Sequence, residues 1–466
     1  MKKLLLVTLA LTCAASWAQS SSPSLVIQNI TVIDVVSGSA AAHRDVVVKD
    51  GKVAEISVST AKATREKLFR VDGTGKFLIP GLWDMHVHSV FGDWFPHSKE
   101  ISLPLFVANG ITGVRDMGGE LEVLQQWRKE ITAGTLLGPR MVIAGPMLDG
   151  PKPRFPSSIA ITTPQDGRRA VDDLKRKGVD FIKLQSLIPA DAVFAIADEA
   201  RKQNIPFVGH VPDSVRAADV SNAGQKSFEH LIGVFEGSSP LEDDFLRGGK
   251  TEGKFLSTYD PARAAALFDL LAKNHTWQCP TLVWERGGNL LDEDMAGFAN
   301  NSRARYVPAY WKDVTWKRFT DEILQGYTAD DLSTRKRFVA KELEVVNAMH
   351  HAGVQFLAGT DTAAGVYVFP GFSLHEELQR FVAAGFTPLE ALQTATINPA
   401  RFLGMEDRTG TIEPGKYADL LLLEANPLED IRNSQKISGV VLNGRYLARP
   451  DLDKLLEGVA AAAKRP

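Results

Sequence analysis

Eight short apolar runs, each able to form a β-strand, alternate with helix-like stretches between residues 77 and 359. Strands that alternate with helices favour a parallel sheet, and eight such units favour a closed barrel over an open sheet. We therefore predict an α/β fold built on a (β/α)8 TIM barrel. The predicted strands cover residues 77–82, 111–116, 140–144, 181–184, 206–210, 227–231, 276–283 and 354–359.

The two ends of the chain do not follow this alternation. Residues 24–76 and 409–450 contain short alternating apolar runs separated by turn signals such as Asn443-Gly444. Neither end has enough strands to be stable alone, so we expect both to join in one small β-sandwich domain. The predicted organisation is a signal peptide at 1–18, the sandwich at 19–76 and 404–466, and the barrel at 77–403.

The first residues have the order of a secretory signal peptide. Lys2 and Lys3 precede an apolar run over residues 4–15, and Ser16-Trp17-Ala18 offers small residues for cleavage before Gln19. The run is too short to span a bilayer, so we expect a periplasmic or secreted protein with no stable membrane insertion after cleavage. A net charge of −3 without a basic stripe argues against nucleic-acid binding. The expected partner is a small-molecule substrate, and a homo-oligomer is compatible with the sequence.

Residue types that bind metals stand at the ends of these strand-like runs. Since the ends of parallel barrel strands meet at one mouth, we expect such side chains to converge there. A His-x-His pair on a strand places both rings on one face, a geometry that suits zinc. The predicted metal site consists of His86, His88, Lys183, His210, His230 and Asp361.

Lys183 and Asp361 have chemistry that goes beyond simple ligation. A lysine that ends a buried strand is costly unless it is paired. Carboxylation by CO2 would convert its amine to a carbamate able to bridge two metals, and the alternative is an ion-paired lysine. Asp361 can bind a metal and still exchange a proton with an activated water, although Asp also suits a helix N-cap.

Taken in order, the motifs "PGLWDMHVH", "GVRDMGG", "FIKLQ", "GHV", "FEHL" and "AGTD" resemble those of the amidohydrolase superfamily. The resemblance is to its imidazolonepropionase-like and metal-dependent dipeptidase branch. It implies two divalent metal ions, with zinc expected. It also implies that His86, His88 and Asp361 hold the more buried ion, that His210 and His230 hold the second, and that N6-carboxylated Lys183 bridges them.

The expected function is an exported binuclear hydrolase that cleaves an amide or peptide-like bond with a metal-bridging hydroxide. A dipeptide or an N-acyl amino acid is the expected substrate. A lactonase or esterase on the same site, a mononuclear deaminase of a nucleobase-like ring and a non-enzymatic scaffold are the alternatives. Deaminases of this kind lack the bridging lysine and place Glu three residues after a metal histidine, where this chain has Asp213. A scaffold would have lost ligands.

The substrate contacts are predicted from loops after the strands. The loop "AGPMLDGPKPRFPSS" lacks the histidine that many relatives in the dipeptidase branch carry there, so Lys152 and Arg154 are candidates to hold a carboxylate. Trp94 and Trp284 could wall an apolar pocket. Two inserted segments, 233–254 and 284–330, could form a lid, or the second could be a surface subdomain with its own aromatic core.

Overall fold

The computed structural model describes residues 24–60, 68–155, 157–298, 300–325 and 328–465, so the predicted signal peptide lies outside the described residues. In the described part of the chain, no helix combines the length and apolar character that crossing a membrane requires. The strands are β1 (Leu25–Ile33), β2 (Ala40–Lys49), β3 (Lys52–Val58), β4 (Phe69–Asp72), β5 (Phe77–Pro80), β6 (Leu82–Val87), β7 (Ile111–Asp116), β8 (Arg140–Ile143), β9 (Leu148–Asp149), β10 (Ile159–Ala160), β11 (Ile182–Leu184), β12 (Phe207–Gly209), β13 (Ser227–Glu229), β14 (Trp277–Cys279), β15 (Leu420–Leu423), β16 (Ile437–Leu442) and β17 (Arg445–Ala448).

The helices follow most of the inner strands. Several begin where a threonine hydroxyl and an acidic side chain form a capping box, as Thr163 and Asp166 do at the third helix. The α-helices are α1 (Ser98–Ala108), α2 (Leu121–Thr132), α3 (Pro164–Arg176), α4 (Ala190–Lys202), α5 (Ala217–Asn222), α6 (Val234–Gly237), α7 (Glu242–Phe245), α8 (Glu252–Thr258), α9 (Pro261–Lys273), α10 (Leu282–Asn289), α11 (Leu291–Phe298), α12 (Lys317–Leu324), α13 (Ala329–His351), α14 (Phe372–Ala383), α15 (Pro388–Thr394), α16 (Ile397–Leu403) and α17 (Arg449–Ala462).

Both ends of the chain contribute strands to one eight-stranded sheet. Its order is β17-β16-β15-β5-β1-β2-β3, with β4 also paired to β1. The antiparallel pair β5–β15 joins the two ends, with Ile79 opposite Leu421. Alternate side chains such as Ile27 and Leu422 bury an apolar face. The two ends therefore join as predicted, but their described residues form a single sheet, and the sandwich arrangement stays a prediction.

The inner strands are parallel, as expected for a TIM-barrel-type α/β fold. They form two ladders, β6-β7-β8 and β10-β9-β11-β12-β13-β14. The predicted eighth strand is an extended segment with isolated bridges. Its Leu357 N–H donates to Gln278 O at 2.9 Å, and its Ala358 O accepts from Met85 N–H at 2.8 Å. This segment thus lies between β14 and β6, while a continuous closed barrel stays a prediction.

The first predicted barrel strand, 77–82, is wrong in its position. Residues Phe77–Pro80 belong to the terminal sheet, and the barrel strand is Leu82–Val87. The chain changes sheets at Gly81, where an added Cβ would lie 2.1 Å from Thr112 Oγ1. A Pro-Gly pair permits both the break in the strand and this close approach.

The described residues of the 284–330 segment are largely helical, and their buried aromatic side chains belong to a core shared with other elements. Trp311 and Trp316 are buried in an apolar cluster shared with Phe95 and with Val459 of α17. The Trp311 indole N–H donates to Pro96 O at 2.8 Å. Its aromatic residues therefore pack this segment against the loop after β6, beside the mouth of the inner strands. The other inserted segment, 233–254, contains α6 and α7 rather than loop alone.

Candidate metal centre

The six predicted ligands meet at the carboxyl ends of the parallel strands. Five of them are buried, Lys183 is fully excluded from solvent, and His210 is partly exposed. His86 and Lys183 lie within β6 and β11, and His88, His210 and His230 directly follow β6, β12 and β13. Asp361 follows the extended segment that bridges to β14 at Phe356. Convergence at this mouth is what parallel strands impose on residues that end them.

Asp361 lies at the centre of the histidines. Its Oδ1 is 3.1 Å from His88 Nε2 and 3.5 Å from His86 Nε2, and its Oδ2 is 4.0 Å from His230 Nε2. The His210 and His230 rings are edge-to-face, with centroids 5.1 Å apart. His86, His88 and Asp361 offer three ligand atoms within 4.8 Å of one another, a spacing that suits one metal ion.

Every one of these histidines uses Nδ1 in a hydrogen bond. His86 Nδ1 donates to Glu229 Oε2 at 2.9 Å and His88 Nδ1 donates to Gly118 O at 2.8 Å. His210 Nδ1 lies 2.8 Å from Ser186 Oγ, and His230 Nδ1 lies 2.6 Å from Thr281 Oγ1. Fixing Nδ1 in this way orients the ring and leaves Nε2 as the ligand atom, the arrangement common to metal-binding histidines.

The electrostatics of the cluster favour neutral imidazoles. Burial lowers the pKa of His86 and of His210 well below its usual range, and nearby Lys183 adds to the effect. Burial also lowers the pKa of His230 to about 3. For His88, burial acts in the same direction but is outweighed by Asp361, so its pKa is raised. Neutral imidazole is the form that binds metals.

One polar atom in this cluster, Lys183 Nζ, has no hydrogen-bond partner among the described residues. Burial lowers the pKa of Lys183 to about 8. A buried amine without a partner is costly, and Lys183 lines the same cavity as the four histidines and Asp361. The residues present therefore fit divalent metal ions.

The backbone at two of these residues lies in the left-handed region. His230 has φ of 60° and Asp361 has φ of 56°. Such conformations cost roughly 1–3 kcal/mol each for residues other than glycine, and they concentrate at functional sites. These two are among twelve non-glycine residues with positive φ in the described part of the chain.

A cavity of about 400 Å3 opens above the cluster. Phe91 packs edge-on to His88 with centroids 4.9 Å apart, and Trp284 lies 4.9 Å from His230. Phe155 contacts Phe91 at 5.3 Å. Aromatic rings thus wall the cavity on both sides of the ligands. A second cavity, of about 500 Å3, borders Arg380 and none of the six ligands.

The predicted substrate contacts divide into two groups. Arg154 and Trp284 line the cavity. Trp94 lies behind its wall and contacts Phe155 with centroids 5.6 Å apart. Lys152 is exposed and is not among the lining residues. Arg154 is itself largely exposed, and its Nη2 lies 3.5 Å from Glu322 Oε2 of α12.

Sequence reasoning missed the buried charges that support the ligands. Asp84 accepts hydrogen bonds from Thr360 N–H at 3.0 Å and from the Thr360 hydroxyl at 2.7 Å, and burial raises its pKa to about 7. Asp116 accepts from Ser89 N–H at 2.7 Å. Arg115 and Glu229 form a buried ion pair. The available signal was a charged residue inside an otherwise apolar strand, as in "GVRD" and "FEH".

The comparisons with known proteins agree with this geometry. The model of the amidohydrolase family matches residues 77–447. A dihydroorotase from Ligilactobacillus salivarius is 26% identical over 428 residues, which cover 84% of this chain and 88% of that protein. An ochratoxinase from Aspergillus niger is 26% identical over 421 residues, which cover 78% of this chain and 73% of that protein.

A solved structure of similar shape is that of a candidate prolidase from Bifidobacterium longum. It is 26% identical to this chain, with a TM-score of 0.69. The match covers 94% of this chain and 99% of the other. The similarity therefore spans the terminal sheet as well as the inner parallel strands.

Proposed function

This chain belongs to the amidohydrolase family, and from that premise we propose that it is an exported, binuclear metal-dependent hydrolase of amide bonds. Two of the proteins it matches, a dihydroorotase and a candidate prolidase, are named for hydrolysis of carbon–nitrogen bonds. The observation that carries the proposal is that Nε2 of His86, His88 and His230 lies within 4.0 Å of the Asp361 carboxylate, in a cavity that His210 and the unpartnered Lys183 also line. The predicted signal sequence supports export.

The donor set supports two divalent ions, with zinc as the expected metal. His86, His88 and Asp361 would hold one ion, and His210 and His230 the other. Lys183, N6-carboxylated, would bridge them, since its amine is buried among ligands and has no hydrogen-bond partner. When bound, such ions would make water a nucleophile at neutral pH and polarise the scissile carbonyl.

Asp361 is the residue we assign to proton transfer. Its Oδ1 lies 3.1 Å from His88 Nε2, and the residue lines the cavity in which the substrate would lie. A carboxylate there can take a proton from the attacking water and deliver it to the leaving amine, which must be protonated to depart. Burial of the surrounding side chains excludes competing solvent.

We propose a small amino-acid derivative, a dipeptide or an N-acyl amino acid, as substrate. The cavity of about 400 Å3 suits a small molecule. Its wall of Phe91, Phe155 and Trp284 favours an apolar or aromatic substituent beside the scissile bond. Arg154, at the rim of the same cavity, is the group placed to receive a free carboxylate.

The test combines metal analysis with a substrate screen on the purified protein. We expect close to two equivalents of divalent metal, loss of turnover on chelation and its return on adding zinc. N-acyl amino acids and dipeptides should be hydrolysed, and those with apolar side chains best. Turnover of lactones or of aminated rings with no amide hydrolysed would overturn the amidase assignment. Absence of metal together with absence of any turnover would favour a scaffold.

The proposal of export has its own test. N-terminal sequencing of the protein purified from a cell fraction outside the cytoplasm should begin at or near Gln19. A chain that keeps Met1 would contradict cleavage.

A further inference from the structure

Beneath the ligand cluster, Arg115 and Glu229 form an ion pair that is completely excluded from solvent. Arg115 Nη2 lies 3.0 Å from each oxygen of the Glu229 carboxylate. Arg115 is near the end of β7, and Glu229 is the last residue of β13, immediately before His230. Neither residue lines the cavity, so the pair cannot touch a substrate there.

The pair is tied into the strands that carry two of the ligands. Arg115 Nε donates to Met85 O at 2.5 Å, next to His86, and Arg115 Nη1 donates to Ser227 Oγ at 3.0 Å. The Ser227 hydroxyl donates to Glu229 Oε1 at 2.6 Å. One guanidinium therefore links β7 to both β6 and β13.

Glu229 also holds His86 directly. Its Oε2 accepts the hydrogen bond from His86 Nδ1 at 2.9 Å. Among the four histidines, only His86 has a carboxylate on Nδ1. The Nδ1 partners of His88, His210 and His230 are a backbone carbonyl and two hydroxyls. A carboxylate partner fixes the tautomer of the ring. It also makes Nε2 more basic, and therefore a stronger metal ligand, than a neutral partner does.

We propose that Arg115 and Glu229 are positioning residues that aim His86 Nε2 at the metal position and strengthen it as a ligand. Glu229 supplies the negative charge behind the ring. Arg115 pairs with that carboxylate inside the core, where an unpaired charge would be costly. The proposal rests on the proposed function, since it assumes that His86 binds a metal.

A competing role for Glu229 is direct ligation. Ligand atoms of Glu229, His86 and Cys279 lie within 4.8 Å of one another. However, both carboxylate oxygens of Glu229 are bonded to Arg115, and each accepts one further hydrogen bond. The guanidinium places a positive charge where a metal ion would have to approach, so the positioning role is favoured.

The experiment measures zinc affinity and stability of the metal-free protein separately. Zinc is titrated into the metal-free protein in competition with a chromophoric chelator. Thermal unfolding of the same metal-free protein is measured by circular dichroism. Glu229→Gln should weaken the tighter zinc site by about 10- to 100-fold. Ser186→Ala, which removes a hydroxyl from His210, is the matched control and should weaken zinc binding less.

The double variant Glu229→Gln/Arg115→Met separates positioning from a purely structural role. Glu229→Gln leaves an unpaired guanidinium and should lower the melting temperature of the metal-free protein. The double variant removes both charges, so its melting temperature should return most of the way to that of the unaltered protein. Its zinc affinity should stay low. A double variant that recovers zinc affinity as well would overturn the proposal, as would unchanged affinity in Glu229→Gln.

The remaining outcomes are also decisive. If Glu229 were a ligand, Cys279→Ser would weaken zinc as much as Glu229→Gln and Arg115→Met would strengthen it, which would overturn the positioning role. If the unaltered protein binds no zinc and hydrolyses no amide, the proposed function itself fails. That result differs from a failure confined to the variants.

Discussion

The ligand cluster and the wall of the cavity above it lie within van der Waals reach of each other but are built differently. The ligands sit on or directly after strands, and each histidine Nδ1 is hydrogen-bonded to another residue. The wall is made of aromatic side chains from loops and helix starts, held by ring contacts such as Phe91 with Phe155. Metal binding and substrate selection should therefore respond to different substitutions.

The largest expected effect follows from removing the proposed bridge. Lys183→Ala should lose metal and nearly all activity while the protein stays folded, because the strands around it pack mainly through apolar side chains. Metal content per chain, turnover and circular dichroism are the measurements. Lys226→Met is the matched control, since that half-buried lysine donates to Phe402 O away from the cavity and should keep its metal. Full metal content and normal turnover in Lys183→Ala would exclude the bridge.

The next effect concerns proton transfer within the same cluster. Asp361→Asn keeps an oxygen that can face the metal position, but it cannot accept and return a proton. We expect kcat to fall by about 10²–10⁴-fold with a much smaller change in KM. Metal content must be measured in parallel, since loss of metal would itself lower kcat. A fully loaded variant with unchanged kcat would remove Asp361 from the mechanism.

The two regions also differ in how far sequence reasoning reached. The six candidate ligands could be grouped from the sequence because residues that end parallel strands meet at one mouth. The structure brings the six side chains to one cavity, and metal binding by them stays a prediction. Arg115 and Glu229 were not singled out, because a charged residue within an apolar strand does not reveal which strand supplies its partner. The side chain that closes such a pair comes from a distant part of the chain.

The fold shows the same limit. The alternation of strands and helices predicted the parallel TIM-barrel-type architecture, and the repeated hairpin style at both ends predicted their union. The first barrel strand was misplaced because apolar residues continue through Pro80-Gly81, where the chain passes from one sheet to the other. Burial of Trp311 and Trp316 against the loop after β6 depends on tertiary contacts that local patterns do not encode.

Substitutions in the wall should change selection without changing metal content. Phe155→Ala should lower kcat/KM for substrates with apolar side chains by about tenfold, because a ring that borders the cavity is lost. The comparison is a pair of N-acyl amino acids, one with an apolar and one with a small polar side chain. Phe319→Ala removes a ring that contacts Trp94 but does not line the cavity, and it should matter less. Loss of metal in Phe155→Ala would show that wall and ligands are not separable.

Arg154 should have a smaller and more selective effect. It is exposed and paired with Glu322, so its contribution to substrate binding is screened by solvent. Arg154→Ala should raise KM by about two- to fivefold for substrates with a free carboxylate and should leave their neutral amides nearly unchanged. Lys152→Ala, an exposed neighbour outside the cavity lining, is the control. Equal changes in KM for both substrate types would show that Arg154 is a solvated loop residue that does not bind the carboxylate.

The smallest expected effect is on protein stability. It concerns a buried acidic pair at the contact between α13 and α10, the helix that carries Trp284. Glu342 of α13 is buried and hydrogen-bonded to Glu285 of α10, and burial raises the pKa of Glu342 from 4.5 to about 8. An acid whose pKa is raised on folding stabilises the protein at low pH, and this stability is lost as the pH rises from about 4.5 to 8. Glu342→Gln cannot ionise, so its unfolding free energy should decline less between about pH 6 and about pH 9, by about 1 kcal/mol or more.

Urea unfolding at both pH values measures the decline, and Glu344→Gln, on the exposed face of α13, should leave it unchanged. If the unfolding free energy declined equally in Glu342→Gln and in the unaltered protein, folding would not change the pKa of Glu342. Protonation of this buried pair would then contribute nothing to the stability of the cavity wall.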